Sequence, residues 1–214
     1  MGPLSTEAKS RNVGIGRQRL EADLVLPQKA KGLVIFAHGS GSSRFSPRNT
    51  QVARQLQAEG FGTLLLDLLT EHEAHDRRNV FDITLLGERM VEAVRFARSG
   101  AEVSCLSIGL FGASTGAAAA LVAAARLPNE VAAVVSRGGR PDLAGTALKQ
   151  VRAATLLIVG GADYAVIDLN QKAFDVLTCE KRLEIVPGAT HLFEEPGTLD
   201  KVVDFAAQWF NVHL

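Results

Sequence analysis

Short apolar blocks alternate with segments of helical period along most of the 214-residue chain. Blocks that are apolar at nearly every position are typical of strands covered on both faces of a sheet. Six such blocks occur, at residues 33–37, 64–66, 106–111, 131–135, 156–159 and 183–186. Between them apolar residues recur at three- and four-residue spacing, as they do from Ile83 to Ala97. Strand followed by helix, repeated about five times, predicts an α/β fold with a doubly wound, mostly parallel sheet.

The first thirty residues follow a different pattern. Polar residues interrupt Val13–Ile15 and Leu20–Leu26, which predicts an antiparallel hairpin at the edge of the sheet. We expect residues 1–12 to form a flexible lead to a single domain spanning residues 1–214. The chain shows no linker and no internal repeat, so a second domain is not predicted.

One uncharged stretch, Val103–Ala125, resembles a membrane span in length and contains Gly112 and Gly116 at the spacing of a helix-pairing motif. Its apolar residues fall into two parts, Cys105–Phe111 and Ala117–Ala125, separated by Gly-Ala-Ser-Thr-Gly. A buried strand, a tight turn and a buried helix explain this pattern better. The N-terminal residues have no apolar core, so no signal peptide is predicted and we expect a cytoplasmic protein.

Composition excludes several classes of function. The chain has 23 Lys and Arg residues against 23 Asp and Glu residues, so it offers no basic face for nucleic acid. Cys105 and Cys179 lie outside any metal-binding spacing, which argues against a structural zinc site and a disulfide scaffold. We expect Cys105 to be buried in a strand and Cys179 to be partly exposed. His72 and His75 have a His-x-x-His spacing, but their short polar stretch is more typical of a solvated loop.

The strongest chemical signal is the sequence Gly112-Ala-Ser-Thr-Gly116, which directly follows an apolar strand and directly precedes a small-residue helix. This is the context of the G-x-S-x-G nucleophile elbow, in which a sharp strand-to-helix turn exposes the serine hydroxyl. The alternative is an ordinary turn in which Ser114 only caps the helix. We predict that Ser114 is a nucleophile.

A serine nucleophile needs a base that is oriented by a third group. In this architecture the order along the chain is serine, then an acid, then histidine. Asp163 and His191 each follow the carboxyl end of a predicted parallel strand, so both should reach the sheet edge that holds Ser114. Asp168 and Asp175 are weaker candidates because they fall inside the next helical pattern.

The segment His38-Gly-Ser-Gly-Ser-Ser43 follows the first parallel strand. In enzymes of this type a backbone N–H of that loop and the N–H after the nucleophile form the oxyanion hole. We assign these donors to Ser40 and Thr115. His38 is a candidate substrate-binding residue. A phosphate-binding loop fits poorly, because no Gly-Lys-Ser/Thr follows.

Beyond these residues, four blocks resemble the dienelactone hydrolase-like branch of the α/β-hydrolases: Phe36–Ser43, Phe111–Gly116, Ser136–Asp142 and His191–Gly197. The resemblance covers essentially the whole chain. It implies a mostly parallel sheet of about eight strands and hydrolysis of esters or lactones without metal or cofactor. Dienelactone hydrolases proper have cysteine where this chain has Ser114. The chain is also similar to a hydrolase domain attached to phosphoribosyltransferases, although it contains no recognisable phosphoribosyltransferase segment.

Only 19 residues separate Val135 from Thr155, which leaves little room for a helical cap over the site. An open site favours small soluble substrates, and we expect a monomer or homodimer that binds neither nucleic acid nor membrane. Arg137 follows a strand at the same sheet edge. It is a candidate for binding a substrate carboxylate, and the alternative is a structural ion pair with Asp142 or Asp67.

Three functions are compatible with these sequence features. The first is a serine esterase that works through an acyl-enzyme. The second is an acyltransferase or peptidase that uses the same triad. The third is a catalytically idle ligand-binding protein that keeps the fold.

Overall fold

The apolar blocks form one eight-stranded sheet in the computed structural model, which describes residues 8–214. The strands are β1 (Lys9–Ile15), β2 (Leu20–Leu26), β3 (Leu33–Ala37), β4 (Gly62–Leu66), β5 (Ile108–Ala113), β6 (Val131–Arg137), β7 (Ala154–Gly160) and β8 (Lys181–Val186). Their order across the sheet is β1-β2-β4-β3-β5-β6-β7-β8. β3 to β8 run parallel, while β2 pairs antiparallel with both β1 and β4. This is the predicted α/β-hydrolase architecture with its antiparallel N-terminal hairpin.

Helices connect the parallel strands. They are α1 (Pro47–Ala58), α2 (Glu71–Ala74), α3 (Arg77–Val80), α4 (Ile83–Ser99), α5 (Thr115–Arg126), α6 (Tyr164–Val176) and α7 (Thr198–His213), with a 3₁₀ segment at Pro141–Gln150. Local chemistry sets where they begin. At α1, for example, the Ser46 side chain accepts a hydrogen bond from the Asn49 N–H, and Pro47 occupies the first turn, where no donor is needed.

Two layers of helices cover the sheet. Successive residues of β5 pack against opposite layers. Phe111 belongs to a hydrophobic cluster with Val52 of α1 and Phe210 of α7. Leu110 belongs to a second cluster with Met90 of α4 and the alanines of α5. All six residues of β5 are buried. Side chains covered on both sides explain why the central strands are apolar at nearly every position.

Several expectations about local structure are wrong. Residues 1–7 of the expected flexible lead lie outside the described residues, but Lys9–Asn12 belong to β1. Cys105 is exposed, because it lies in the turn before β5 and not in the strand. The stretch around His72 and His75 forms α2, although both histidines are exposed as expected.

The uncharged stretch that resembles a membrane span divides as predicted. Its residues form β5, a turn and α5. Among residues 8–214, no helix combines the length and the apolar character needed to cross a bilayer.

Candidate active site

Ser114 occupies a sharp turn between β5 and α5. Its backbone has φ 50° and ψ −122°, a conformation that costs a non-glycine residue about 1–3 kcal/mol and persists only where the surroundings enforce it. Two glycines permit the turn. A Cβ on Gly112 would lie 2.4 Å from Cα of Ala117, and a Cβ on Gly116 would lie 2.4 Å from the carbonyl oxygen of Ala37. The turn therefore has the geometry of a nucleophile elbow.

Backbone hydrogen bonds hold Ser114 in this conformation. Its N–H donates to the carbonyl oxygen of Arg137 at 3.4 Å, and its carbonyl oxygen accepts from the N–H of Arg140 at 3.0 Å. Although Ser114 is the N-cap residue of α5, its side chain makes no capping hydrogen bond. The hydroxyl is thus free for chemistry, and the reading in which Ser114 only caps the helix loses its support.

Asp163 and His191 meet at the carboxyl edge of the sheet, after β7 and β8. Nδ1 of His191 lies 2.7 Å from Oδ2 of Asp163. A carboxylate only accepts hydrogen bonds, so in the neutral ring Nδ1 carries the proton and Nε2 keeps a free lone pair. The two loops are joined by their backbones as well, because the Ala162 N–H donates to the carbonyl oxygen of Ala189 at 2.9 Å.

The end of β6 lies between Ser114 and His191. Arg137 accepts the Ser114 N–H, and the next residue, Gly138, approaches the histidine so closely that a Cβ there would lie 2.9 Å from the His191 carbonyl oxygen. Within residues 8–214 the Ser114 hydroxyl makes no hydrogen bond to the imidazole. In unliganded active sites this contact is often long and tightens only with substrate.

The loop after β3 lies against the nucleophile. A Cβ on Gly39 would lie 3.0 Å from Cβ of Ser114. Both ring nitrogens of His38 bond to backbone: Nδ1 donates to the carbonyl oxygen of Gly39 at 2.9 Å, and Nε2 accepts from the N–H of Leu68 at 3.1 Å. This fixes the neutral tautomer, and desolvation lowers the pKa of His38 although the Gly39 carbonyl and Asp67 oppose the shift. His38 therefore has no ring nitrogen left to bind a substrate, and it positions the loop.

A cavity of about 370 Å³ opens beside the nucleophile. Ser40 and Thr115, the expected oxyanion donors, both line it. A larger cavity of about 670 Å³ is lined by Lys9, residues 26–30 and Leu106, which precede or flank the amino ends of the strands. Because ligands of open α/β sheets bind at the carboxyl ends of the strands, the smaller cavity is the candidate substrate site.

Arg137 does not form the ion pair that the sequence suggested. Asp142 pairs with Arg140, and Asp67 pairs with Arg44. The Arg137 guanidinium is buried: Nη2 donates to Oδ1 of Asn49 at 3.3 Å, Nε has no hydrogen-bond partner among residues 8–214, and the group lies 5.9 Å from the ring centroid of Phe193. Burial, together with the charge of Arg48, lowers the pKa of Arg137 to about 10. A side chain that is 5% exposed is poorly placed to meet a substrate carboxylate.

The far wall of the cavity, which α2, α3 and the start of α4 supply, was not predicted from the sequence. Leu69, Glu71, Ala74, Val80 and Leu86 lie on this wall. A signal was present, because Thr70-x-x-Glu73 is a capping-box pattern: Thr70 and Glu73 bond reciprocally at the start of α2. Asp67, directly after β4, also lines the cavity.

Comparisons with known proteins agree with this architecture. The model of the dienelactone hydrolase family matches residues 20–209. The crystal structure of a dienelactone hydrolase from Anabaena variabilis has 51% sequence identity and a TM-score of 0.93, covering 97% of this chain and 98% of that one. The structure of Est1E from Butyrivibrio proteoclasticus has 16% sequence identity and a TM-score of 0.76; the match covers 94% of this chain and 99% of that one, so the two share the fold.

Curated relatives from Mycobacterium tuberculosis carry a different name. Proteins of strains H37Rv and CDC 1551, each named "Putative phosphoribosyl transferase", are 56% identical to this chain over 191 residues. The match covers 89% of this chain but only 43% of each relative. The chain therefore spans less than half the length of the curated relatives that it matches.

Proposed function

Because the chain belongs to the dienelactone hydrolase family, we propose that it is a serine hydrolase that cleaves small carboxylic esters or lactones through an acyl-enzyme. Family and fold support hydrolase activity in general. One observation supports the finer proposal: a strained serine with a free hydroxyl shares a sheet edge with a His191–Asp163 pair whose Nδ1 and Oδ2 are 2.7 Å apart.

The proposed reaction has two halves. Ser114 Oγ attacks the substrate carbonyl while Nε2 of His191 takes its proton, and the alcohol leaves with that proton as the C–O bond breaks. Water then attacks the acyl-enzyme by the same route, releasing the acid and restoring Ser114. Asp163 holds the His191 Nδ1–H, so Nε2 is the basic nitrogen throughout.

The Thr115 and Ser40 N–H groups are the proposed oxyanion donors. Thr115 begins α5, where free N–H groups and the helix dipole favour negative charge. The Ser40 N–H belongs to the peptide whose carbonyl, that of Gly39, accepts from His38. In a planar trans peptide the C=O and N–H point in opposite directions, so His38 turns the Ser40 N–H away from itself.

A small substrate is favoured by what covers the site. Between β6 and β7 the chain forms the 3₁₀ segment Pro141–Gln150, which is too short to build a helical cap. The cavity of about 370 Å³ is near the lower end of the range for small-molecule sites. The name of the mycobacterial relatives describes proteins of which this chain covers only 43%, whereas the hydrolase family model matches residues 20–209 of this chain, so phosphoribosyl transfer is not the proposed function.

Labelling with a fluorophosphonate tests the proposal. Intact mass should rise by one probe, and peptide mapping should place the probe on Ser114. Ser114→Ala should abolish both labelling and the burst of p-nitrophenol from p-nitrophenyl acetate, while Ser40→Ala, which keeps the backbone donor, should retain them. Labelling that survives in Ser114→Ala would exclude this nucleophile.

The same assay tests the other two members of the triad. His191→Ala should remove the burst as completely as Ser114→Ala, and the double variant should be no worse, because the groups act as a unit. Asp163→Asn should reduce kcat by about 10⁴-fold by favouring the wrong tautomer. Asp168→Asn, an exposed residue of α6, is the matched control and should match the parent. Loss in Asp168→Asn with activity kept in Asp163→Asn would reverse the assignment.

A further inference from the structure

The cavity beside Thr115 has two walls of different chemistry. One is the His38–Ser43 loop, which brings backbone N–H groups and serine hydroxyls. The other is apolar and consists mainly of Leu68, Leu69, Val80 and Leu86. An ester carbonyl at the first wall would direct one of its substituents onto the second.

The charged residues that line this cavity are all acidic. Asp67 and Glu71 are the only two, and none of the described lining residues is Lys or Arg. A carboxylate on the substrate would therefore enter an apolar pocket with no cation to pair it and two like charges nearby, which is unfavourable both by desolvation and by Coulomb repulsion.

Asp67 is paired, but its partner is shared. The Arg44 guanidinium contacts three carboxylates, those of Glu21, Asp23 and Asp67, and the backbone N–H of Arg44 also donates to Oδ1 of Asp67 at 2.7 Å. One cation among three anions leaves this cluster with a formal charge of −2. The ion pairs of Arg44 are all with these three carboxylates, so the cluster leaves the rim of the cavity negative.

The other cations close to this wall are also engaged. Arg78 pairs with Asp76, and Arg89 pairs with both Glu73 and Glu92. The Arg77 guanidinium lies over the ring of Phe81. Arg77, Arg78 and Arg89 together carry three positive charges and are balanced by the three carboxylates of Glu73, Asp76 and Glu92, so these residues do not reverse the sign of the local field.

From this arrangement, and resting on the proposed function, we infer that the cavity is a substrate subsite that accepts uncharged or cationic esters and rejects esters that carry a carboxylate. The apolar wall holds the uncharged part of the substrate. Glu71 and the Arg44 cluster supply the charge selection.

A series of p-nitrophenyl esters that differ in charge tests the inference: butyrate (uncharged), succinate monoester (anionic) and 4-trimethylammoniobutyrate (cationic). Each kcat/KM is divided by the rate of hydroxide hydrolysis to remove differences in intrinsic reactivity. At low salt the butyrate should exceed the succinate at least tenfold, and the cationic ester should at least equal the butyrate. The preference should shrink in 0.5 M NaCl, because exposed charges are screened.

Charge reversal identifies the source of the selection. Glu71→Lys changes the local charge by two units, so the butyrate-to-succinate ratio should fall at least fivefold, given roughly fivefold per unit charge at partly screened distances. The fall should come mainly from a rise in kcat/KM for the succinate. Glu59→Lys, an exposed acid at the end of α1 and beyond the cavity lining, is the matched control and should leave the ratio unchanged.

A binding measurement separates this inference from the proposed function. Ser114→Ala retains the cavity and holds esters without the proposed nucleophile, so calorimetry should show the butyrate binding at least fivefold tighter than the succinate, and Glu71→Lys in that background should narrow the gap. Equal or tighter succinate binding overturns the subsite even if fluorophosphonate labels Ser114 in the parent. Selective butyrate binding without labelling of Ser114 would support the subsite and refute the serine hydrolase.

Discussion

The double hydrogen bonding of His38 allows its role to be tested with two amides. Asparagine places its terminal atoms near the position of Nδ1, whereas glutamine reaches the position of Nε2. His38→Asn therefore keeps a donor for the Gly39 carbonyl and loses the bond to Leu68, and His38→Gln does the reverse. If His38 acts by orienting the Gly39–Ser40 peptide, the two variants should differ in catalysis although both lose stability.

The expected magnitudes follow from the contacts. His38→Asn leaves the N–H of Leu68, a residue with 1% exposure, without its partner, which should cost about 2 kcal/mol of unfolding free energy. His38→Gln removes one of the two donors to the Gly39 carbonyl, which keeps the N–H of Ser42 at 3.2 Å, and should cost about 1 kcal/mol. Removing an oxyanion donor outright costs about 10²–10³-fold in kcat, so a misdirected Ser40 N–H should lower the kcat of His38→Gln by about 10- to 100-fold. His38→Asn should keep kcat within about threefold.

The assays are steady-state hydrolysis of p-nitrophenyl butyrate and urea unfolding. KM should change little in either variant, because an oxyanion donor acts mainly in the transition state. Equal loss of kcat in both variants, or full kcat in a folded His38→Gln, would refute the positioning role.

Stability at different pH values gives an independent check. The pKa of His38 is lowered in the folded state, chiefly by desolvation, so below its ordinary value of 6.5 the unfolded chain binds more protons at this position. The stabilisation by neutral His38 is complete above pH 6.5 and is lost progressively as the pH falls from that value to the lower pKa of the folded state. The difference in unfolding free energy between parent and either amide variant should therefore narrow from pH 7.5 to pH 5. A difference that stays constant would mean that His38 titrates alike in both states.

Two further predictions concern the surroundings of the nucleophile. Gly116→Ala should lower the unfolding free energy by about 3 kcal/mol or more, because its Cβ would lie 2.4 Å and 2.5 Å from two backbone carbonyl oxygens. In the control Gly41→Ala the new Cβ meets no atom within 4 Å, so the loss should be only about 1 kcal/mol, for the positive φ. Equal urea midpoints for the two variants would contradict this prediction. Arg137→Met should leave the butyrate-to-succinate ratio of kcat/KM within twofold and the unfolding free energy within about 1 kcal/mol. The reason is that it removes a buried cation that has no carboxylate partner among the described residues. A loss of kcat/KM confined to the succinate ester would show that Arg137 contacts the substrate.

The parts of the structure that the sequence predicts well are those governed by local rules. The sharp turn at Ser114 depends on Gly112 and Gly116, which are its near neighbours. The approach of Asp163 to His191 depends on one topological rule, that the carboxyl ends of parallel strands meet at one edge. Both statements need only the order of strands and helices.

The parts that the sequence did not predict depend on contacts between distant segments. The sequence analysis offered Arg137 two aspartates, Asp142 on the following loop and Asp67 at the end of β4, yet its partner is Asn49, 88 positions away, because Arg140 and Arg44 occupy both carboxylates. The prediction that Cys105 is buried in a strand was wrong for a different reason. Cysteine counts as an apolar residue, so the apolar block begins before the true start of β5 at Ile108. Hydrophobic patterning sets which segments are strands more reliably than it sets their ends.

The N-cap positions of the helices connect stability to function in this fold. Four N-cap residues use their side chains to cap a helix: the side chains of Ser46, Thr70, Asp76 and Asp82 each accept a hydrogen bond from a backbone N–H in the first turn of their helix. Ser114 and Asp163 occupy the same position in α5 and α6, have residue types well suited to capping, and make no such bond. The absence of each capping hydrogen bond lowers the free energy of unfolding by about 1 kcal/mol. Asp163 instead binds His191, and the Ser114 hydroxyl stays uncommitted. Both of these N-cap residues lie at the carboxyl edge of the sheet beside His191. The fold therefore gives up capping stability at the two positions whose side chains the proposed function requires for catalysis.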